Sequence, residues 1–125
     1  MELTFSSTFY VPRQAPRGKV AFYDTRQHEP LDKMYAKLVI PPLEAILMPP
    51  GAVFLGEARE QDGDWSLPGH FKMTPNLVES GLVIQPLPWM PGFCFQMVNL
   101  ASWAQQLWPG TTFGEFHTVE AGYRG

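Results

Sequence analysis

Prolines and glycines interrupt this chain so often that a long helix has nowhere to form: 13 prolines and 11 glycines are spread over 125 residues. Proline removes an amide donor and clashes with the preceding helical turn, and glycine carries a large entropic cost inside any regular element. Between them lie short apolar or alternating runs: KLVI (37–40), EAILM (44–48), AVFLGEA (52–58), GLVIQ (81–85), GFCFQMVNL (92–100) and FGEFHTV (113–119). Each run is bounded by Pro or Gly and suits a pleated, half-buried surface, so the pattern predicts an all-β fold, a sandwich or barrel-like jelly roll. Only NLVES (76–80) and LASWAQQL (100–107) read as helical turns.

The length suits one domain with a real core. Residues 1–36 read as an N-terminal arm, or as a first strand and loop, of the same domain that residues 37–125 complete. Charge is uneven between the two parts: residues 1–37 hold six Lys/Arg against four Asp/Glu, and residues 38–125 hold three against eight. The basic part includes YVPRQAPRGK, whose Tyr10, Arg13, Arg17 and Lys19 suit an extended arm lying on a partner. An ordinary first strand with a surface loop fits the same residues. A net charge of −3 offers no electrostatic case for nucleic acid. No apolar run reaches membrane-spanning length and the N-terminus lacks a signal-peptide pattern, so a soluble chain with no membrane partner is expected. The single cysteine, Cys94, excludes an internal disulfide, and among Phe93, Phe95 and Met97 it reads as a small apolar side chain.

From Ser80 to Gly114 the chain contains no Asp, Glu, Lys, Arg or His. A small β domain normally places charges on its wet face, so both faces of these strands are expected to be covered. Obligate interfaces are depleted of charge and rich in aromatics, which makes Trp89, Phe93, Phe95, Trp103, Trp108 and Phe113 candidates for a homo-oligomer interface.

Three segments in order, MPPGAVFLGEARE (48–60), LPGHFKMTPNLVESGLVI (67–84) and NLASWAQQLWPGTTFGEF (99–116), resemble motifs of the trimeric dUTPase and dCTP deaminase superfamily. The resemblance implies a distorted β jelly roll assembled as a homotrimer. It also implies a phosphate grip where an Arg-Ser-Ser run meets triphosphate, but the matching positions here are Thr74, Pro75 and Asn76. Those residues keep the turn and lose the cation and most of the hydroxyls that phosphate needs. The family's water-activating acid would fall on Pro86, Leu87 or Met90, depending on whether Gly92 or Asn99 anchors the alignment, and none of these can act as a base. At the last motif, two charged positions become Thr111 and Thr112, and the ending AGYRG offers little to cover a phosphate.

His28, His70 and His117 are too scattered to form a metal motif, and Glu57, Glu60, Asp62 and Asp64 read as a solvated hairpin loop. No catalytic, cofactor or metal residue is therefore expected. The expected function is that of a non-enzymatic trimer that binds proteins, such as a cement or decoration protein on a phage capsid. It would then reside in the virion, and otherwise in the cytoplasm. A diverged deoxynucleoside triphosphate pyrophosphatase or deaminase, or a nucleotide-binding regulator, are the competing expectations.

Overall fold

Side-chain alternation converts these runs into strands with one buried face. In β4 (Val53–Ala58), Phe54, Gly56 and Ala58 point inward, and in β7 (Cys94–Asn99), Phe95, Met97 and Asn99 do the same. The computed structural model of the chain describes residues 1–14, 18–19 and 23–119. The other elements are β1 (Glu2–Pro12), α1 (Leu31–Met34), β2 (Tyr35–Val39), β3 (Ile46–Met48), β5 (Gly69–Met73), α2 (Pro75–Glu79), β6 (Leu82–Pro86), β8 (Gln105–Leu107) and β9 (Thr112–Thr118). Seven strands form one nearly closed, barrel-like sheet in the order β5-β9-β1-β4-β7-β6, with β2 alongside β1. The pairings are antiparallel, and β3 and β8 make a separate two-stranded ribbon.

The first strand is the pivot of this sheet. Its start, Glu2–Thr4, pairs with β9, while Thr8–Pro12 pairs with β2 and Phe9 and Tyr10 with β4. Between them the register shifts, and the Thr8 N–H donates to Ser6 Oγ at 3.1 Å. A bulge of this kind bends a strand, which lets β1 serve both halves of a curling sheet. Glu2–Pro12 of the N-terminal segment is a strand of the sheet. Tyr10 lies within β1, opposite Leu55 and Lys37. The Arg13 N–H donates to the Met34 carbonyl and its Nε to the Asp32 carbonyl, each at 2.8 Å. Lys19 is exposed, and Arg17 lies outside the described residues.

The core is aromatic. Phe113 packs with its ring centroid 4.9 Å from Phe5 and 4.5 Å from Phe95, and Trp65 meets Phe93 at 4.8 Å. Gly56 makes room for this: a Cβ there would stand 2.9 Å from the Phe95 ring. This corrects the interface expectation for three residues. Phe93, Phe95 and Phe113 are each 0% exposed within the single chain, so no second copy is needed to keep them dry. The outward side of β4 and β7 is also partly covered by the chain itself, because Leu31, Met34 and Tyr35 border one cleft with Leu55, Leu87 and Gln96.

LASWAQQL is also corrected. Its Gln105–Leu107 portion is strand β8, which pairs Leu107 with Ile46 and Gln105 with Met48. The reason is Asn99, buried at 0% exposure. Its Nδ2 donates to the carbonyls of Met48 at 3.1 Å and Trp103 at 2.8 Å, and its Oδ1 accepts from the Ala101 N–H at 3.0 Å. Backbone polar groups tied to one side chain are not available for helical bonds. NLVES does form a helical turn: Asn76–Glu79 lie in α2, Ser80 caps it, and Gly81 follows with φ +90. A residue in that left-handed conformation terminates many helices, and glycine adopts it without steric cost.

One turn breaks the usual residue preference. The Glu44 N–H donates to the Pro41 carbonyl at 3.2 Å across Pro42 and Leu43, and Leu43 has φ +65. Proline followed by positive φ is the pattern of a type II turn, whose third position normally takes Gly or Asn. A leucine there costs about 1–2 kcal/mol.

Candidate functional site

Two of the three segments singled out in the sequence, 67–84 and 99–116, border one cleft. It measures about 330 Å³ and is bordered by Thr74 and Pro75 from the start of α2, Thr112, Gly114 and Glu115 from β9, and Lys72 from β5. Strand pairing explains the meeting, since β5 and β9 run side by side with Lys72 opposite Glu115 and Met73 opposite Gly114. The Thr74 N–H donates to the Phe113 carbonyl at 3.0 Å, and its hydroxyl lies 3.4 Å from the Thr112 carbonyl. Both of its polar groups are thus turned toward the chain's own backbone. Asn76 is exposed on α2.

Electrostatics in this cleft oppose a polyphosphate. Glu2 also borders it and pairs in register with Glu115, so two carboxylates stand beside one ammonium, that of Lys72. A triphosphate would meet net negative charge where a binding site needs positive charge.

A second cleft, about 440 Å³, lies on the outward side of the sheet, where Tyr23, Tyr35 and Trp89 stand with Leu55, Met90 and Gln96. Burial pushes the Tyr35 hydroxyl above its ordinary pKa, so it stays a neutral donor and acceptor. Trp89 is 73% exposed. The arrangement can take a flat apolar group, and Gln96, Tyr35, His28 and Glu29 are the polar groups beside it.

The third feature is an apolar surface around the β3–β8 ribbon. Trp103 precedes β8 and Trp108 follows it, and they are 56% and 43% exposed, with Leu100 nearby at 71%. At the Trp108 end, Val39, Pro42 and Leu43 border a cleft of about 620 Å³ together with Glu44 and Arg59. Of these, Trp108, Val39, Pro42 and Leu43 share one cleft, and contiguous exposed apolar groups mark interaction surfaces more often than scattered ones do.

The remaining titratable residues occupy structural positions. Glu60 accepts from both the N–H and the hydroxyl of Thr4, each at 2.7 Å, which ties the β4–β5 connection to β1. Burial pushes its carboxyl up, but the two Thr4 bonds and nearby Arg59 outweigh burial and leave it below the ordinary value. A lowered carboxyl pKa contributes stability that is present above the unfolded value and lost as pH falls through the folded one. Thr4→Val, which keeps the amide and removes the hydroxyl, is expected to move the Glu60 titration upward and shift acid unfolding to higher pH. Carboxyl NMR titration and a pH series of melting curves check this.

Asp64 accepts from the Ser66 N–H at 3.0 Å, as in a polar turn, and Asp24 pairs with Arg26 at 3.0 Å. Cys94 is buried, and burial followed by the Glu57 charge pushes its thiol pKa up, which disfavours a reactive thiolate. His70 and His117, distant in sequence, face each other across β5 and β9, with His117 Nε2 3.0 Å from Glu115 Oε2. His28 lies apart, at the aromatic cleft. Among the described residues no three His, Cys, Asp or Glu side chains gather as a metal site. Likewise, no helix among them is long and apolar enough to cross a membrane.

No protein-family model matches this chain, and no curated protein matches it either.

Proposed function

We propose that this chain is a non-enzymatic interaction protein of dUTPase-like fold that assembles with itself as a trimer. In this reading it serves as a structural part of a larger protein shell, such as the decoration layer of a phage capsid, and resides in the virion. The observation that carries the reading is the apolar surface around the β3–β8 ribbon, where Leu43, Leu100, Trp103 and Trp108 remain exposed in the single chain. Supporting it is the charge-free stretch from Ser80 to Gly114, because charge depletion with exposed tryptophan is the composition of an obligate interface. Three weak contacts held in one trimer gain from effective concentration, which suits attachment at a threefold junction of a shell.

A second reading, a diverged nucleotide enzyme or nucleotide-binding regulator, is favoured by one observation. Thr74 and Pro75 border the same cleft as Thr112, Gly114 and Glu115, as the resemblance to a triphosphate site would require. Against it stand the two carboxylates in that cleft.

Sedimentation at micromolar concentration is expected to give a trimer mass, and incubation with dUTP or dCTP is expected to release neither diphosphate nor ammonia. A stable monomer overturns self-assembly. Turnover abolished by Glu115→Gln replaces the first reading with the enzyme, and saturable calorimetric binding without turnover replaces it with the regulator.

A further inference from the structure

We propose that the cleft on the outward side of the sheet is a binding site for a small aromatic ligand that carries one positive charge, of the arylalkyl ammonium class. The site is built from the residues of one chain, so the inference stands apart from self-assembly. Its floor is Leu55 and Gln96, which face each other across β4 and β7. One wall comes from the segment ahead of β2, with Tyr23, Glu29 and Met34, and the other from the turn between β6 and β7, with Trp89 and Met90.

Both walls are held by the chain's own hydrogen bonds. The Glu29 N–H donates to the Tyr23 hydroxyl at 3.1 Å, and the Arg13 N–H ties the Met34 carbonyl to the end of β1 at 2.8 Å. Opposite them, the Leu87 N–H donates to the Cys94 carbonyl at 2.9 Å and the Met90 N–H to the Leu87 carbonyl at 3.1 Å, which closes a turn around Pro88 and Trp89. Trp89 is nonetheless 73% exposed. A large aromatic fixed by a turn but left unburied is preorganised to receive a flat group, and preorganisation lowers the entropic cost of binding. The volume, about 440 Å³, suits a small ligand, and Met34 and Met90 bring to the two walls thioethers that pack well against aromatic rings.

Charge selects among such ligands. No Lys or Arg borders the cleft, and its one carboxylate is Glu29, 8% exposed. The bond from Lys33 Nζ at 2.8 Å holds that carboxyl below its ordinary range, so it is ionised at neutral pH. Lys33 itself does not border the cleft, and its side chain is 57% exposed, where water screens its charge. A ligand inside therefore meets a poorly hydrated carboxylate and three aromatic side chains, Tyr23, Tyr35 and Trp89, a combination that attracts a cation and repels an anion.

Calorimetry and NMR titration of the full chain with three compounds that share one ring system, naphthylmethylammonium, naphthylmethanol and naphthoate, test this. The ammonium is expected to bind about tenfold tighter than the alcohol, with naphthoate weakest and the Trp89 indole signal moving on titration. Trp89→Ala should weaken ammonium binding roughly tenfold and leave the melting temperature and sedimentation unchanged. Glu29→Gln should abolish the preference for the ammonium over the alcohol. Lys33→Gln should increase that preference, and it reads the same carboxylate from outside the cleft even where Glu29→Gln fails to fold. No saturable binding of the ammonium, naphthoate binding as tightly as the ammonium, or binding indifferent to both Trp89→Ala and Lys33→Gln overturns the proposal. A Trp89→Ala chain that loses assembly and keeps the ligand assigns Trp89 to a contact between copies and overturns it as well.

Discussion

Phe113→Ala is expected to destabilise the fold by about 3–5 kcal/mol, the usual cost of removing a large aromatic from a packed core. Phe113 has no exposed surface, and its ring stacks against Phe5 at 4.9 Å and lies 4.5 Å from Phe95, while Phe71 approaches to 6.1 Å. It also sits on β9, which joins β1 to β5, so the void opens where the two halves of the sheet meet. Chemical denaturation followed by far-UV circular dichroism measures the loss. The effect should be the same at every protein concentration, because the ring's neighbours belong to its own chain. Were Phe113 an interface residue, the loss would appear as dissociation and grow on dilution. The same experiment on Trp103→Ala or Trp108→Ala should show the opposite balance, with little effect on the isolated subunit.

Asn99→Ala should cost about 3 kcal/mol and loosen the β3–β8 ribbon before the main sheet. The side chain is wholly buried and joins the distant Met48 carbonyl to the nearby Ala101 amide and Trp103 carbonyl, while Gln105 Nε2 approaches its Oδ1 at 3.4 Å and donates to the Ser80 carbonyl at 2.8 Å. Truncation leaves the buried Met48 carbonyl and the partly buried Trp103 carbonyl without this donor, and an unpaired buried polar group carries its full desolvation penalty. Asn99→Asp should do comparable or greater harm, since a carboxylate cannot donate to two carbonyls. Hydrogen exchange supplies the readout: amides of β3 and β8 should lose protection well before those of β4 and β7.

Local pattern accounts for much of the fold. EAILM, AVFLGEA and GFCFQMVNL each contain a strand, and KLVI, GLVIQ and FGEFHTV each overlap one, because alternation and Pro/Gly boundaries are properties of neighbouring residues. Two strands carry weaker local signals. GHFKM lies between a proline-glycine pair and a helical turn, and it becomes β5 only because β9 offers an edge to pair with. QQL has no β-branched or aromatic residue at all, and it becomes β8 because Asn99 and β3 hold it extended.

The site is less legible than the fold. Thr74 and Pro75 border one cleft with Thr112, Gly114 and Glu115, but the sequence does not reveal that Glu2 would stand beside Glu115, since that depends on the register of β1 against β9. Leu43 escapes notice for a related reason: in PPLEAIL it reads as one more apolar residue, and only the backbone angle and the exposure together mark it.

The sequence by itself determined an all-β chain with short elements and a charge-free stretch from Ser80 to Gly114. Those properties are set by residue identity and spacing, which are local. The tertiary structure alone decided which aromatics are core and which are surface. Phe93, Phe95 and Phe113 face inward while Trp89, Trp103 and Trp108 do not, because the side a residue faces depends on strand register and on where the chain turns, both fixed by contacts between residues far apart in sequence.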